Sequence, residues 1–146
     1  MGRASALGLG LALLGSLAAC RATPSETVSA ATPYTGIVAV VPVNDHAASV
    51  TWYGQWIGRD ADVVPMEGVA EWNLAGSAWI QVAHDPAHAG QTSVVVSVAD
   101  AEAQRQACAS AGVEPGALQD HGVVKLFEIE DPDGNKVVFV EASGPE

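Results

Sequence analysis

The chain has 146 residues, 49% of them hydrophobic, with six Lys and Arg against seventeen Asp and Glu. That length can bury one core and is too short for two independent domains. A formal net charge of −11 repels phosphate backbones, so nucleic acid is excluded as an expected partner.

Residues 1–20, MGRASALGLGLALLGSLAAC, place one basic residue, Arg3, before an apolar run from Ala6 to Leu14 and small residues ahead of Cys20. The run is too short to span a bilayer with ordinary flanks, and its order is that of a secretory signal peptide. Leu17-Ala18-Ala19-Cys20 also resembles the bacterial lipobox, in which cleavage leaves the cysteine as a lipid-carrying N-terminus. The expectation is export to a bacterial cell envelope, with Cys20 as the lipidated membrane anchor. The alternatives are an ordinary cleaved signal with an incidental cysteine, or a start codon set too far upstream, which would leave the protein cytoplasmic.

Residues 21–35, RATPSETVSAATPYT, mix Ala, Thr, Ser and Pro without an apolar period, which suits a flexible tether. The folded part, residues 36–142, then begins near Gly36. Cys108 is the other cysteine of the chain, and a lipidated Cys20 could not pair with it, so no disulfide framework is implied.

An internal repeat organises the folded part into modules of about residues 36–83 and 92–142. Val41-Pro42-Val43-Asn44-Asp45 has a counterpart in Val96-Ser97-Val98-Ala99-Asp100, both fitting V-x-V-x-D. Each follows an apolar run, GIVAVV or TSVVV, that predicts a buried strand, and each Asp opens a segment with helical spacing. The spacing groups Val50, Tyr53 and Ile57 on one face of the first helix, with Trp52 and Trp56 on a flank that suits either core packing or a subunit interface. In the second helix it groups Ala103, Ala107, Cys108 and Ala111. Gly58 and Gly112 stop the two helices.

Three strands are expected after each helix: about 61–65, 69–74 and 78–83, then 113–118, 123–130 and 136–141. The chain is therefore read as βαβββ twice, an α+β fold. One module leaves a sheet face exposed that a second can cover or extend. Near the end, DPDGN from Asp131 to Asn135 has the turn chemistry of a hairpin.

With VPVND leading into SVTWYGQWIG, VSVADAEA after it and DPDGNKVVFVE at the close, the sequence resembles the vicinal oxygen chelate superfamily of glyoxalase I, bleomycin resistance proteins and extradiol dioxygenases. The resemblance covers about residues 36–142. It implies paired modules whose curved mixed β-sheet encloses a cleft. In family enzymes that cleft holds a divalent metal on His, Glu or Gln side chains.

The family's ligand positions, transferred one at a time, fall on Val38, Gln81, Ser93 and Val138, of which Gln81 is the one plausible ligand. A register slip of one, to Val94 or Thr92 for Ser93 and to Val137 or Phe139 for Val138, supplies no imidazole or carboxylate. The four His offer no replacement: His46 opens the first helix, His121 sits in a turn, and His84 and His88 flank a Pro86-containing loop. Cys108, among small residues of a helix, is read as a structural thiol.

No catalytic residue and no cofactor is therefore expected, a divalent metal being the disfavoured alternative. Strand alternation puts Val38 with Val40, Trp79 with Gln81, Ser93 with Val95 and Val138 with Val140 on one face each. If the family fold holds, these eight line a largely apolar cleft suited to a small molecule, and the acidic balance suits a cationic or aromatic one. The resemblance to bleomycin resistance proteins implies a homodimer that sequesters its ligand without metal. The rival readings are a metal-dependent enzyme of glyoxalase or dioxygenase type and an envelope adaptor with no small ligand.

Overall fold

The computed structural model describes residues 33–142. The expected signal peptide, Cys20 and the tether as far as residue 32 lie outside the described residues.

The first module runs β1 (Ile37–Val43), α1 (His46–Ile57), β2 (Val63–Met66), β3 (Val69–Ala75) and β4 (Ala78–His84). The second repeats the order as β5 (Ser93–Ser97), α2 (Ala101–Ser110), β6 (Gln119–Asp120), β7 (Val124–Glu130) and β8 (Lys136–Ala142). Each forms its own four-stranded sheet, ordered β1-β4-β3-β2 and β5-β8-β7-β6. The first strand of each module pairs in parallel with the last, and the remaining pairs are antiparallel.

The repeated aspartates do the same work in both modules. Asp45 accepts the Ala48 N–H at 3.1 Å and Asp100 accepts the Ala103 N–H at 2.9 Å, each satisfying a donor that the first helical turn leaves free. Gly58, at φ 81°, ends α1 in the left-handed region that a residue without Cβ adopts cheaply.

One expected strand is corrected. Residues 113–118 do not form a strand. Pro115 has no N–H to give to a ladder, and this stretch meets the sheet through the Gly116 N–H, which donates to Glu128 O at 2.8 Å. Pairing with β7 begins only at Gln119.

Both helix faces are also corrected. In α1 the buried residues are Ser49, Tyr53 and Trp56, with Val50 and Ile57 only partly buried. The cause is that α1 touches both sheets. Tyr53 lies 6.3 Å from Trp72 of β3, while Trp56 stands edge-on to Phe139 of β8 at 5.3 Å between ring centroids. Trp56 is thus a core residue and Trp52 packs against the core, so the aromatic flank is accounted for by packing. In α2 Ala101 and Cys108 are buried whereas Ala103 and Ala107 are exposed.

A single core results, built from Val41, Val43, Trp72, Ile80 and Val82 of the first sheet and Phe127, Ile129, Val137 and Phe139 of the second. Phe127 and Phe139 stack within it at 4.9 Å. These side chains all come from one face of each sheet.

The turn from Asp131 to Asn135 fastens the modules together. Asp131 is buried and accepts the N–H groups of Asp133 and Asn135 on one carboxylate oxygen, at 2.9 Å each. Its other oxygen accepts the Asn135 amide at 2.8 Å and the Tyr53 hydroxyl at 3.2 Å. Asn135, fully buried, also donates to Pro42 O at 2.9 Å and accepts the Thr92 N–H at 3.0 Å. Gly90 passes so close to Asp133 O that a Cβ there would meet it at 2.3 Å, so only glycine fits.

Candidate functional site

Because each sheet turns one face to the shared core, its other face looks away from that core. The eight residues singled out by strand alternation all lie on these outer faces. In the first sheet Val38 pairs with Trp79 and Val40 with Gln81; in the second Val95 pairs with Val138, and Ser93 and Val140 continue the same face. Each set of four is brought together in its own sheet. The two sets lie on the sides of their sheets turned away from the shared core.

The faces are unusually apolar for surface. Val38 is 48% exposed, Val40 47% and Val95 65%. Trp79, Gln81, Val138 and Val140 are half-buried.

Polar groups on these faces come largely from β3 and β7, which the motif comparison did not reach. Glu71 stands opposite Gln81 and Asn73 opposite Trp79. The Gln81 amide donates to the Glu71 carboxylate. On the second sheet Glu128 stands opposite Val138 and Glu130 opposite Lys136, and the Lys136 ammonium donates to Glu128 at 2.9 Å. That pairing, with Glu130 nearby, pushes the Lys136 pKa up. Period-two alternation along β3 and β7 was the signal in the sequence that would have placed both glutamates.

The donor chemistry of the family positions does not fit a metal centre. Val38 and Val138 have no donor atom and Ser93 carries a neutral hydroxyl, which leaves the Gln81 amide oxygen as a single donor where a metal site needs three or more. Among the described residues no group of three or more His, Cys, Asp or Glu is placed to hold a metal ion. His84 ends β4, and His88 is bound to Asp85 at 2.8 Å in the turn that follows, as Pro86 and Gly90 led us to expect. His46 and His84 share an open polar groove of about 540 Å³ with Asp45 and Glu67.

Cys108 is fully buried on α2, and burial pushes its thiol pKa up, so it is a poor nucleophile. The Gln104 amide approaches its sulfur at 3.6 Å.

Two apolar cavities were not foreseen. One, of about 330 Å³, lies where the ends of β1 and β4 meet β5, walled by Ile37, Ala39, Leu74, Ala78, Val94 and Val96. It shares only Trp79 and Val95 with the eight residues above. The other, about 630 Å³ and open, runs between α1 and β2 past Val50, Gly54 and Val64.

Two βαβββ modules on one core, with an apolar and aromatic outer face and no metal-donor set at the inherited positions, define an α+β protein of the vicinal oxygen chelate type. Residues 36–139 match the model of the Glyoxalase/Bleomycin resistance protein/Dioxygenase superfamily, and the chain belongs to that family. Among solved structures it is similar to a glyoxalase/bleomycin resistance protein from Catenulispora acidiphila DSM 44928, at 27% identity and TM-score 0.70, covering 75% of this chain and 99% of that one. The bleomycin-binding protein of bleomycin-producing Streptomyces verticillus, solved with copper(II)-bleomycin, is 21% identical at TM-score 0.63, covering 79% and 100%. TnmS3, an antibiotic binding protein from Streptomyces sp. CB03234, is 16% identical at TM-score 0.65, covering 75% and 97%. The last two likenesses are of fold alone. No curated protein is a match.

Proposed function

We propose that the protein binds a small molecule without a metal, in a cleft completed by a second copy of the chain, and that it does so at the bacterial cell envelope. The observation that carries the reading is the outer face of the first sheet. Trp79 and Gln81 sit there beside half-exposed Val38 and Val40, and of these four it is Val38 and Gln81 that fall where a family enzyme would carry metal ligands.

Such a face offers apolar area, one aromatic wall and a few hydrogen-bonding groups, which is the usual composition of a ligand pocket. Two of the similar structures are of proteins that bind bleomycin or an antibiotic, which supports the binding reading. A second copy would supply what one chain lacks. Its second-sheet face, with Val95, Val138 and Val140, would lie across from the first-sheet face and remove both from water. The envelope location rests on the N-terminal sequence, with Cys20 as the lipid anchor.

Elemental analysis of the purified protein tests the central point. The expected result is less than stoichiometric divalent metal, with ligand binding unchanged by a chelator. A tightly held metal lost together with binding would sink the proposal in favour of an enzyme. Mass spectrometry of the mature N-terminus tests the anchor, since an intact Met1 on a soluble protein would refute it.

A further inference from the structure

The two modules carry the same glutamate in the same place and treat it differently. Glu71 lies opposite Gln81, two residues beyond Trp79 on β4; Glu128 lies opposite Val138, two residues beyond Lys136 on β8. Trp79 and Lys136 are likewise equivalent, since each pairs with the first strand seven residues ahead of its repeated aspartate, at Val38 and at Ser93. In the second module Lys136 reaches diagonally across the strand pair and neutralises Glu128 at 2.9 Å. In the first module the lysine position holds Trp79 instead.

Glu71 therefore meets no lysine at that position. Its side-chain partner is the neutral Gln81 amide, and among the described residues none of the ion pairs includes it. Arg59, which also reaches β3, is committed to Asp62 and to Asn73 O.

We infer that the first-sheet face recognises an organic cation attached to a planar group, with Glu71 binding the charge and Trp79 the plane. The Lys136–Glu128 pair shows that an ammonium reaching in from the diagonal position meets this glutamate. A ligand cation lying over Trp79 would occupy the same relative place, and it would gain from the indole face as well as from the carboxylate. Glu71 is thereby the specificity-determining residue of the site. The net charge of −11 draws the same class of ligand from a distance. This inference rests on the binding reading above and sharpens it.

Titration calorimetry of the full chain with benzamidinium and with neutral, nearly isosteric benzamide is the test. The expected result is at least tenfold tighter binding of benzamidinium, narrowing as salt is raised. Glu71→Gln, checked for an unchanged melting curve, is expected to abolish that preference. Equal binding of the two probes by the native chain overturns the cation inference and leaves the binding reading standing. So does a preference that survives Glu71→Gln. If neither probe binds, the two readings fall together. The comparison of probes on the native chain decides the matter even if the variant does not fold.

Discussion

The Tyr53 hydroxyl donates to the Asp131 carboxylate at 3.2 Å, a buried contact between residues 78 apart that ties α1 of the first module to the β7–β8 turn of the second. Burial, and then the neighbouring carboxylate, push the Tyr53 pKa far above the ordinary phenol value, so the group remains a donor at any working pH. Tyr53→Phe is expected to cost about 1–2 kcal/mol, because Asp131 keeps its other partners. Asp131→Ala removes the acceptor for four groups at once and is expected to cost about 3 kcal/mol or more. Urea unfolding measures both. If Asp131→Ala proved no worse than Tyr53→Phe, the turn would not be the fastening point.

Acid should weaken one specific contact. Arg59 holds Asp62 through two hydrogen bonds of 3.0 and 2.9 Å, and the Asn73 N–H adds a third at 2.7 Å, so the Asp62 pKa is lowered to about 2. A depressed carboxylate pKa stabilises the fold fully above the unfolded value and loses that contribution as pH falls. The loss therefore falls between about pH 4 and pH 2. Carbon-detected NMR titration of Asp62 should show a midpoint near 2, and Arg59→Met should raise it, with the Asn73 N–H still holding it below the normal aspartate range.

Native Cys108 should resist alkylation. Its thiol is buried and its pKa is raised, so the reactive thiolate is scarce and shielded. Site-resolved mass spectrometry with iodoacetamide should show slow labelling of native protein and rapid labelling in urea. Rapid native labelling would show that α2 opens readily.

Val95 gives a test of self-association. It is 65% exposed on the outer face of the second sheet, so Val95→Glu should fold normally. On the proposed dimer reading, the variant should shift toward monomer by at least tenfold in the dissociation constant in sedimentation experiments. An unchanged dimer would place the interface elsewhere.

Much of the fold was legible in the sequence because its signals are local. The V-x-V-x-D repeat gave both strand-to-helix junctions, since an aspartate cap acts on backbone donors two or three residues away. DPDGN gave the closing turn for a similar reason. The missed element, β6, failed on chemistry present in the sequence: Pro115 and Gly116 interrupt the stretch from Val113 to Leu118, and pairing starts only beyond them.

The helix faces were less legible. A periodicity argument assumes one apolar partner per helix, whereas α1 is gripped by two sheets and buries Tyr53 and Trp56 against opposite neighbours. The candidate site divides along the same line. Alternation grouped Val38, Val40, Trp79 and Gln81 on one face, and Ser93, Val95, Val138 and Val140 on another. The same alternation, followed along β3 and β7, puts Glu71 and Glu128 on those faces, and strand register sets them opposite Gln81 and Val138.

The sequence by itself determined the duplication, the caps, the turn and the side-chain chemistry at the inherited ligand positions, because these depend on residue type and short-range spacing. Only the tertiary structure decided which faces share the core and which look outward, and which of two equivalent glutamates meets a lysine. Those outcomes depend on how strands distant in sequence are set in register and how two sheets close on one helix, a balance of burial that no single segment contains.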